Sequence, residues 1–387
     1  MSTPNTALKL TPLSNWHSNQ GGRMVDFAGW SMPVQYQSVI QEHHQTRKSV
    51  GLFDVSHMGR FFFYGSEVGQ WLDGLMTRRI AGVDAGKIRY SLVTNEKGMI
   101  LDDVLVYHLD CQSDDAGAFP PSQEDGKSFY MVVVNASNRD KLASWFKSHI
   151  PAGSDIRLED RTEQTAMIAV QGPKANGIMA KLSTIDPESL AYYGGAVAKV
   201  DDQWAIVSRT GYTGEDGCEL IVDSKVAEGL WEKLADQAQA VGGGASGLAA
   251  RDTLRLEAGM PLYGHELSEE INAAATGLGF AINHKGRKFC GDDAIVKSRE
   301  AKTDPVRVGI ELEGRRPARE GCPVLVDGTQ IGTLTSGTLS PTLEKPIAMG
   351  YLSQEHAAEG TKVDVDIRGK THAATVVALP FYRRAKK

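Results

Sequence analysis

Asn95–His108 reads NEKGMILDDVLVYH: four turn residues, then an apolar run broken at its centre by two adjacent carboxylates, Asp102 and Asp103. Ile100, Leu101, Val104, Leu105, Val106 and Tyr107 are largely branched or aromatic, the composition of a strand leaving a tight turn. Lys87–Thr94 has the same character on the other side of the turn, so the two stretches are expected to pair as a hairpin. Side chains alternate faces along a strand, which sends Asp102 and Asp103 to opposite sides. The two therefore cannot act together as a paired acid and base. One at most faces a given pocket, and a carboxylate among apolar side chains needs a partner or a purpose. On this stretch alone, a strand-end pair hydrogen-bonded to a neighbouring loop is an equally good reading.

Working outward, Arg60–Tyr64, Ser128–Ser137, Thr165–Val170 and Trp204–Arg209 also read as strands. Ser38–Ser49, Ser66–Leu75, Asp140–His149, Lys174–Leu182, Val226–Val241 and the segment from Leu248 to Glu257 suit helices. Met24–Tyr36, aromatic and punctuated by Gly and Pro, suits a packed loop around Trp30. Residues 110–127, polar and containing Pro120-Pro121, read as a long exposed excursion. Beyond a linker at Thr303–Arg307, short runs separated by Gly321-Cys322-Pro323, Asp327-Gly328 and Ser340-Pro341 predict a β-barrel or sandwich.

A chain of 387 residues accommodates two or three domains. Its net charge of -6 argues against a nucleic-acid partner, whose binding face is usually basic. No apolar run approaches the roughly 20 residues that span a bilayer, so no membrane segment is expected. MSTPNTALKLTPLSNW carries neither a signal-peptide core nor an Arg-rich transit pattern, and a cytoplasmic protein is expected. The four cysteines lack metal-ligand spacing, and the adjacent His43 and His44 do not share a helix face, so no metal site is expected. Asp54, Ser56 and His57 are the residue types of a hydrolase triad. Without a G-x-S-x-G elbow they read better as a polar loop braced by hydrogen bonds.

A second unusual stretch is RTGYTGEDGCELIV, Arg209–Val222, with three glycines around Tyr212, Glu215, Asp216 and Glu219. It matches neither a Walker loop nor a dinucleotide fingerprint. Its acids suit a neutral, hydrogen-bond-donating ligand such as a pterin or aminopyrimidine. In GLAARDTLRLEAG, Arg251 and Arg255 recur at i, i+4. They read equally as helix-surface ion pairs and as one face offered to an anion. ALPFYRRAKK closes the chain with two aromatics beside Arg383 and Arg384, a pattern for docking.

Together, MVDFAGWSMPVQY, SVGLFDVSHMG, NEKGMILDDVLVY, QGP, SRTGYTGEDGCEL, GLAARDTLRLEAGMPLYG, TSGTLSPTL and LPFYRR resemble, in order, the aminomethyltransferase (T-protein) family of the glycine cleavage system. The likeness runs from about Thr11 to Arg384. It implies an α+β, three-domain cloverleaf around a central hole that holds folate. On that pattern 1–51 with 153–284 form a discontinuous folate-binding domain, 52–152 a second α+β domain carrying the Asp pair, and 285–387 a small β-barrel domain. The implied reaction takes an aminomethyl group from the lipoyl arm of the lipoylated H-protein, moves the methylene to the co-substrate tetrahydrofolate and releases ammonia. By the same resemblance, Asp103 matches the functional carboxylate, with Asp102 its outward neighbour. Tyr212 and Glu219 match folate contacts of the glycine-rich loop, and Arg251 and Arg383 match folate-contacting arginines.

One departure stands in NAAATGLGF, where Ala273 and Ala275 replace a Pro-x-Glu-type pattern usual in relatives. A folate-dependent demethylase acting on another donor shares the resemblance. Non-catalytic folate-binding proteins of iron–sulfur assembly carry a Lys-Gly-Cys-type motif that is absent here. The terminal Lys386 and Lys387 are placed to steer an acidic carrier protein.

Overall fold

The computed structural model describes residues 7–110 and 128–385. Residues 111–127 of the expected excursion, and Lys386 and Lys387, lie outside the described residues. The central hairpin forms as expected: Lys87–Thr94 pairs antiparallel with Ile100–Asp110, with Leu92 opposite Asp103 and Val93 opposite Asp102. Its turn is closed by the Asn95 side-chain oxygen, which accepts from the N–H groups of Lys97 (2.9 Å) and Met99 (3.1 Å).

That hairpin is one edge of a five-stranded sheet in the order Lys87–Thr94, Ile100–Asp110, Ser128–Val134, Gly59–Tyr64, Arg157–Asp160. Gly59–Tyr64 (GRFFFY) is buried along its whole length, because both faces of the sheet are covered. Phe61 and Phe63 pack with Val104, Val106, Leu142 and Phe146 on one side. Phe62 packs on the other with Tyr107, Phe129 and Met167. Each such ring contributes roughly 1.5–3 kcal/mol of burial.

Met167 belongs to a second, six-stranded sheet, in the order Gly195–Val200, Gln203–Ser208, Gly217–Asp223, Thr165–Gln171, Gly51–Asp54, Gly244–Ala245. The two sheets share the core made by Phe53, Phe62, Tyr107, Met167, Ile206 and Ile221. Helices Ala175–Leu182 and Ala227–Ala240 cover the far face, with Ile178, Leu230, Trp231 and Leu234 against Val170, Leu220 and Val222. The chain crosses between the sheets through 55–58, immediately after Gly51–Asp54. The C-terminal strands close into a six-stranded barrel, in the order Val306–Leu312, Pro346–Leu352, Thr329–Leu339, Pro323–Val326, Lys362–Asp366, Thr371–Val377. Closure leaves no free strand edge and decides between the two alternatives open from the sequence.

Met24–Tyr36 is a correction. It is not a packed loop but a hairpin, Arg23–Phe27 against Trp30–Gln35, with Lys9–Leu10 added in parallel. Its turn residues Ala28 (φ 52°) and Gly29 (φ 80°) are both left-handed, and an Ala-Gly pair lacks the Asn-Gly or Asp-Gly signal of such turns. The strand Gly195–Val200 and the helix Asp292–Ala301 are further elements that the sequence reading lacks.

Candidate functional site

A cavity of about 1000 Å³ lies where the two sheets, the Arg23–Gln35 hairpin and the barrel meet. Asp103, Tyr212, Glu219 and Arg251 all line it. Asp103 accepts hydrogen bonds from the Tyr90 hydroxyl (3.0 Å) and Asn135 Nδ2 (2.8 Å). Asp102 does face away from it, but not outward. It is 0% exposed and accepts from Asn135 N (3.0 Å), Asn135 Nδ2 (2.8 Å) and Asn138 Nδ2 (2.6 Å). The face opposite the cavity is itself packed core, so an outward neighbour has no solvent to face. Burial, then the Asp103 charge, pushes the Asp102 carboxyl above the usual carboxylate range. Burial pushes Asp103 up as well, against the Tyr90 and Asn135 hydrogen bonds.

Asn135 was not among the residues singled out in sequence. Leu105 pairs with Val133, so two residues further on Asn135 comes level with Asp103. Only that register marks it.

Glu219 sits within Gly217–Asp223, buried, and accepts from the Thr210 hydroxyl at 2.5 Å. Burial pushes its carboxyl up, opposed by the charge of Arg251. Arg251, near the start of helix Leu248–Glu257, lies over the Tyr212 ring, 4.8 Å from its centroid. The Arg251 Nη1 atom is buried without a hydrogen-bond partner among the described residues. Tyr212 is anchored by its hydroxyl, which donates to the Pro261 carbonyl. Gly217 is obligatory: φ is +149°, and a Cβ there would stand 2.1 Å from the Val170 carbonyl oxygen.

Of the loop's other acids, Glu215 pairs with Arg47 (3.0 Å) and Asp216 with Arg209 (2.7 Å), so Glu219 alone of the three faces the cavity. Both members of the arginine pair line the cavity, but they differ in their partners. Arg255 is engaged by Glu266 and Asp252 at 2.8 Å each and by Ser336, which leaves Arg251 open to a ligand.

Arg383 does not join the others. It is exposed and outside the lining, although Leu379 and Pro380 reach the cavity. Tyr382 before it is held over the Arg47 guanidinium at 3.9 Å and donates its N–H to the Glu257 carbonyl. Arg384 after it pairs with Asp216 at 3.3 Å. The Asp54–Ser56–His57 group is a braced loop and no triad, because Asp54 hydrogen-bonds His17 (2.9 Å), Thr11 (2.7 Å) and the Ser56 N–H (2.9 Å) instead. Ala273 and Ala275 are buried in a 3₁₀ turn, Ala273 against Leu92, Ile100 and Ile295. Neither lines the cavity, whereas Gly277, Leu278 and Phe280 just beyond them do.

Two carboxylates aimed at one cavity accept hydrogen bonds from a flat ligand rich in N–H groups, and the open guanidinium takes a carboxylate bidentately. Comparison with known proteins gives the same direction. Residues 13–119 and 121–286 match the family described as the GCVT N-terminal domain, and residues 306–383 match the glycine cleavage T-protein C-terminal barrel domain. An aminomethyltransferase of Corynebacterium jeikeium is 42% identical over 405 residues, covering 98% of this chain and 100% of the relative. One from Bacillus subtilis is 38% identical over 379 residues, covering 97% and 100%. The crystal structure of the glycine cleavage system aminomethyltransferase T from Bartonella henselae superposes with a TM-score of 0.86 at 32% identity, covering 98% and 100%.

The protein is thus an enzyme, a transferase, with the α+β cloverleaf architecture and C-terminal barrel. The chain belongs to the aminomethyltransferase family, the T-proteins of glycine cleavage.

Proposed function

We propose that the enzyme takes the aminomethyl group from the dihydrolipoyl arm of H-protein and joins its methylene to N5 and N10 of tetrahydrofolate, in the cytoplasm. The protons leaving N5 and N10 balance those gained by the departing ammonia and by the arm's sulfur. Convergence of Asp103, Glu219, Tyr212 and Arg251 on one cavity carries this reading. Buried acceptors suit the amino and N–H groups of a reduced pterin, and the unpartnered Arg251 Nη1 suits a carboxylate of the glutamyl tail. The exposed Arg383 is left for a carboxylate outside the cavity. Asp103 would hold the attacking nitrogen in line and stabilise positive charge as the carbon–sulfur bond breaks, with Tyr90 and Asn135 fixing its orientation.

A three-domain partition, 1–51 with 153–284, 52–152 and 285–387, goes with this reading. It is supported by Gly51–Asp54 and Gly59–Tyr64 lying in different sheets, though Arg157–Asp160 crosses back to edge the five-stranded one. The test is ammonia release from aminomethyl-loaded H-protein, with and without tetrahydrofolate. Release is expected to depend on folate and to fall about 10²–10³-fold in Asp103→Asn, with folate still bound. Near-full turnover in that variant would overturn the role of Asp103, and folate-independent release would overturn the acceptor.

A further inference from the structure

Arg47 lines no part of the cavity, yet it grips both elements that bring Tyr212 and Arg251 together. Its side chain is 4% exposed, and each of its three nitrogens donates. Nη1 donates to the carbonyl of Thr213, the residue after Tyr212, at 2.7 Å and to Glu215 at 3.0 Å. Nη2 donates to Glu257 at 2.8 Å and to the Leu254 carbonyl at 3.4 Å, one turn beyond Arg251 on the same helix. Nε donates to Glu257 as well, at 3.1 Å. Loop and helix end meet directly beside it: a Cβ on Gly214, where φ is +80°, would stand 2.9 Å from the Ala258 Cβ. The contact of Arg251 with the Tyr212 ring is therefore made across a gap whose width Arg47 sets from both sides.

Hydrogen-bonded around its edge, the guanidinium has only its faces left. Tyr382 lies over one of them, its ring centroid 3.9 Å from Cζ. Tyr382 is fixed in turn by its N–H on the Glu257 carbonyl and by its neighbours. Arg384 pairs with Asp216 at 3.3 Å, and Leu379 and Pro380 pack on Gly259. The Tyr382 hydroxyl faces Glu215: burial, then Glu215, pushes it up to about 12. An aromatic face on a guanidinium adds cation–π attraction and keeps water from ion pairs whose strength rises as the local dielectric falls. We propose that Tyr382 is a positioning residue, which acts through Arg47 to hold the 210–217 loop at the spacing from helix Leu248–Glu257 where Tyr212 and Arg251 meet tetrahydrofolate. This rests on the folate reading above and gives the C-terminal segment a part in binding from outside the cavity.

Steady-state kinetics, with tetrahydrofolate and aminomethyl-loaded H-protein varied in turn, tests it. In Tyr382→Ala the KM for tetrahydrofolate is expected to rise about five- to tenfold, the loss of one partly desolvated cation–π contact. The kcat and the KM for H-protein are expected to stay within about twofold, the pattern of lost binding without lost chemistry. Tyr382→Phe, which keeps the ring, is expected to remain within about twofold of the parent in all three. Tyr382→Leu covers Arg47 without a π face and is expected to fall between; it carries the test if the alanine variant does not fold. An unchanged folate KM, a loss confined to kcat, or an equal loss in the phenylalanine variant would overturn the inference, as would a matching rise in the KM for H-protein. A parent enzyme whose rate does not depend on tetrahydrofolate would overturn the folate reading, and the inference with it.

Discussion

Asn135→Ala removes the amide that touches both central carboxylates, Nδ2 donating to Asp102 Oδ1 and Asp103 Oδ1 at 2.8 Å each. Asp103 keeps only the Tyr90 hydroxyl as a side-chain donor, while Asp102 keeps Asn138 and the Asn135 backbone N–H. A hydrogen bond to a charged group contributes about 1.5–3 kcal/mol, and one unit of pKa corresponds to about 1.4 kcal/mol. The already raised Asp103 carboxyl therefore rises by about one to two further units. If the ionised form is the working one, activity is lost as pH falls through that pKa. The acid limb of the kcat/KM profile should then move to higher pH by the same amount, with the high-pH plateau kept.

Asn138→Ala provides a control. It removes a donor from Asp102 alone, whose carboxyl already stands above that of Asp103 and so is neutral while Asp103 titrates. Its limb should stay in place. Folate-dependent ammonia release measured across pH reads both variants. A uniform drop in Asn135→Ala with an unmoved limb would refute the electrostatic account and leave Asn135 a packing residue.

Asp103→Asn should gain stability as it loses activity. Because the folded-state pKa lies above the ordinary value, the native state binds more protons than the unfolded state in that window, and stability falls as pH rises through it. Thermal unfolding should show the variant more stable than the parent at about pH 8, with the gain shrinking towards about pH 4; a less stable variant at the higher pH would contradict this. Glu266→Ala should destabilise the junction of helix and barrel by about 3–5 kcal/mol, since it leaves the buried Arg255 guanidinium with only the exposed Asp252 as a charged partner among the described residues and releases Thr335 (2.6 Å). The exposed partner Asp252, removed in the same way, should cost less than about 1 kcal/mol in denaturant unfolding. Similar losses for the two would show that burial does not set the strength of these pairs.

The sequence determined what local backbone chemistry dictates. The Asn95–His108 turn and strand, the opposed faces of Asp102 and Asp103, the glycine loop and the helix carrying Arg251 and Arg255 all stand where the residues predict. Each follows from a period, a turn residue or a propensity within a few positions. Ordered motifs along the chain identified the family for the same reason, since they are local strings.

The tertiary structure alone decided what depends on which surfaces meet. Alternation guarantees that the two carboxylates part, but the packing of the sheet on both faces makes one side a cavity and the other a core, so Asp102 is caged and not exposed. Asn135 became a partner of the pair through strand register, and Glu266, from the loop that follows the helix, engaged Arg255 and left Arg251 open. Arg383 was drawn out of the site because its neighbours dock on Arg47 and Asp216. The loop around His57 is held by a buried arginine that grips the carbonyls on either side of it. Contacts such as those of Asn135 with Asp103 and of Tyr382 with Arg47 join residues far apart in the chain, and the energies of all of them depend on desolvation, which no short stretch of sequence contains.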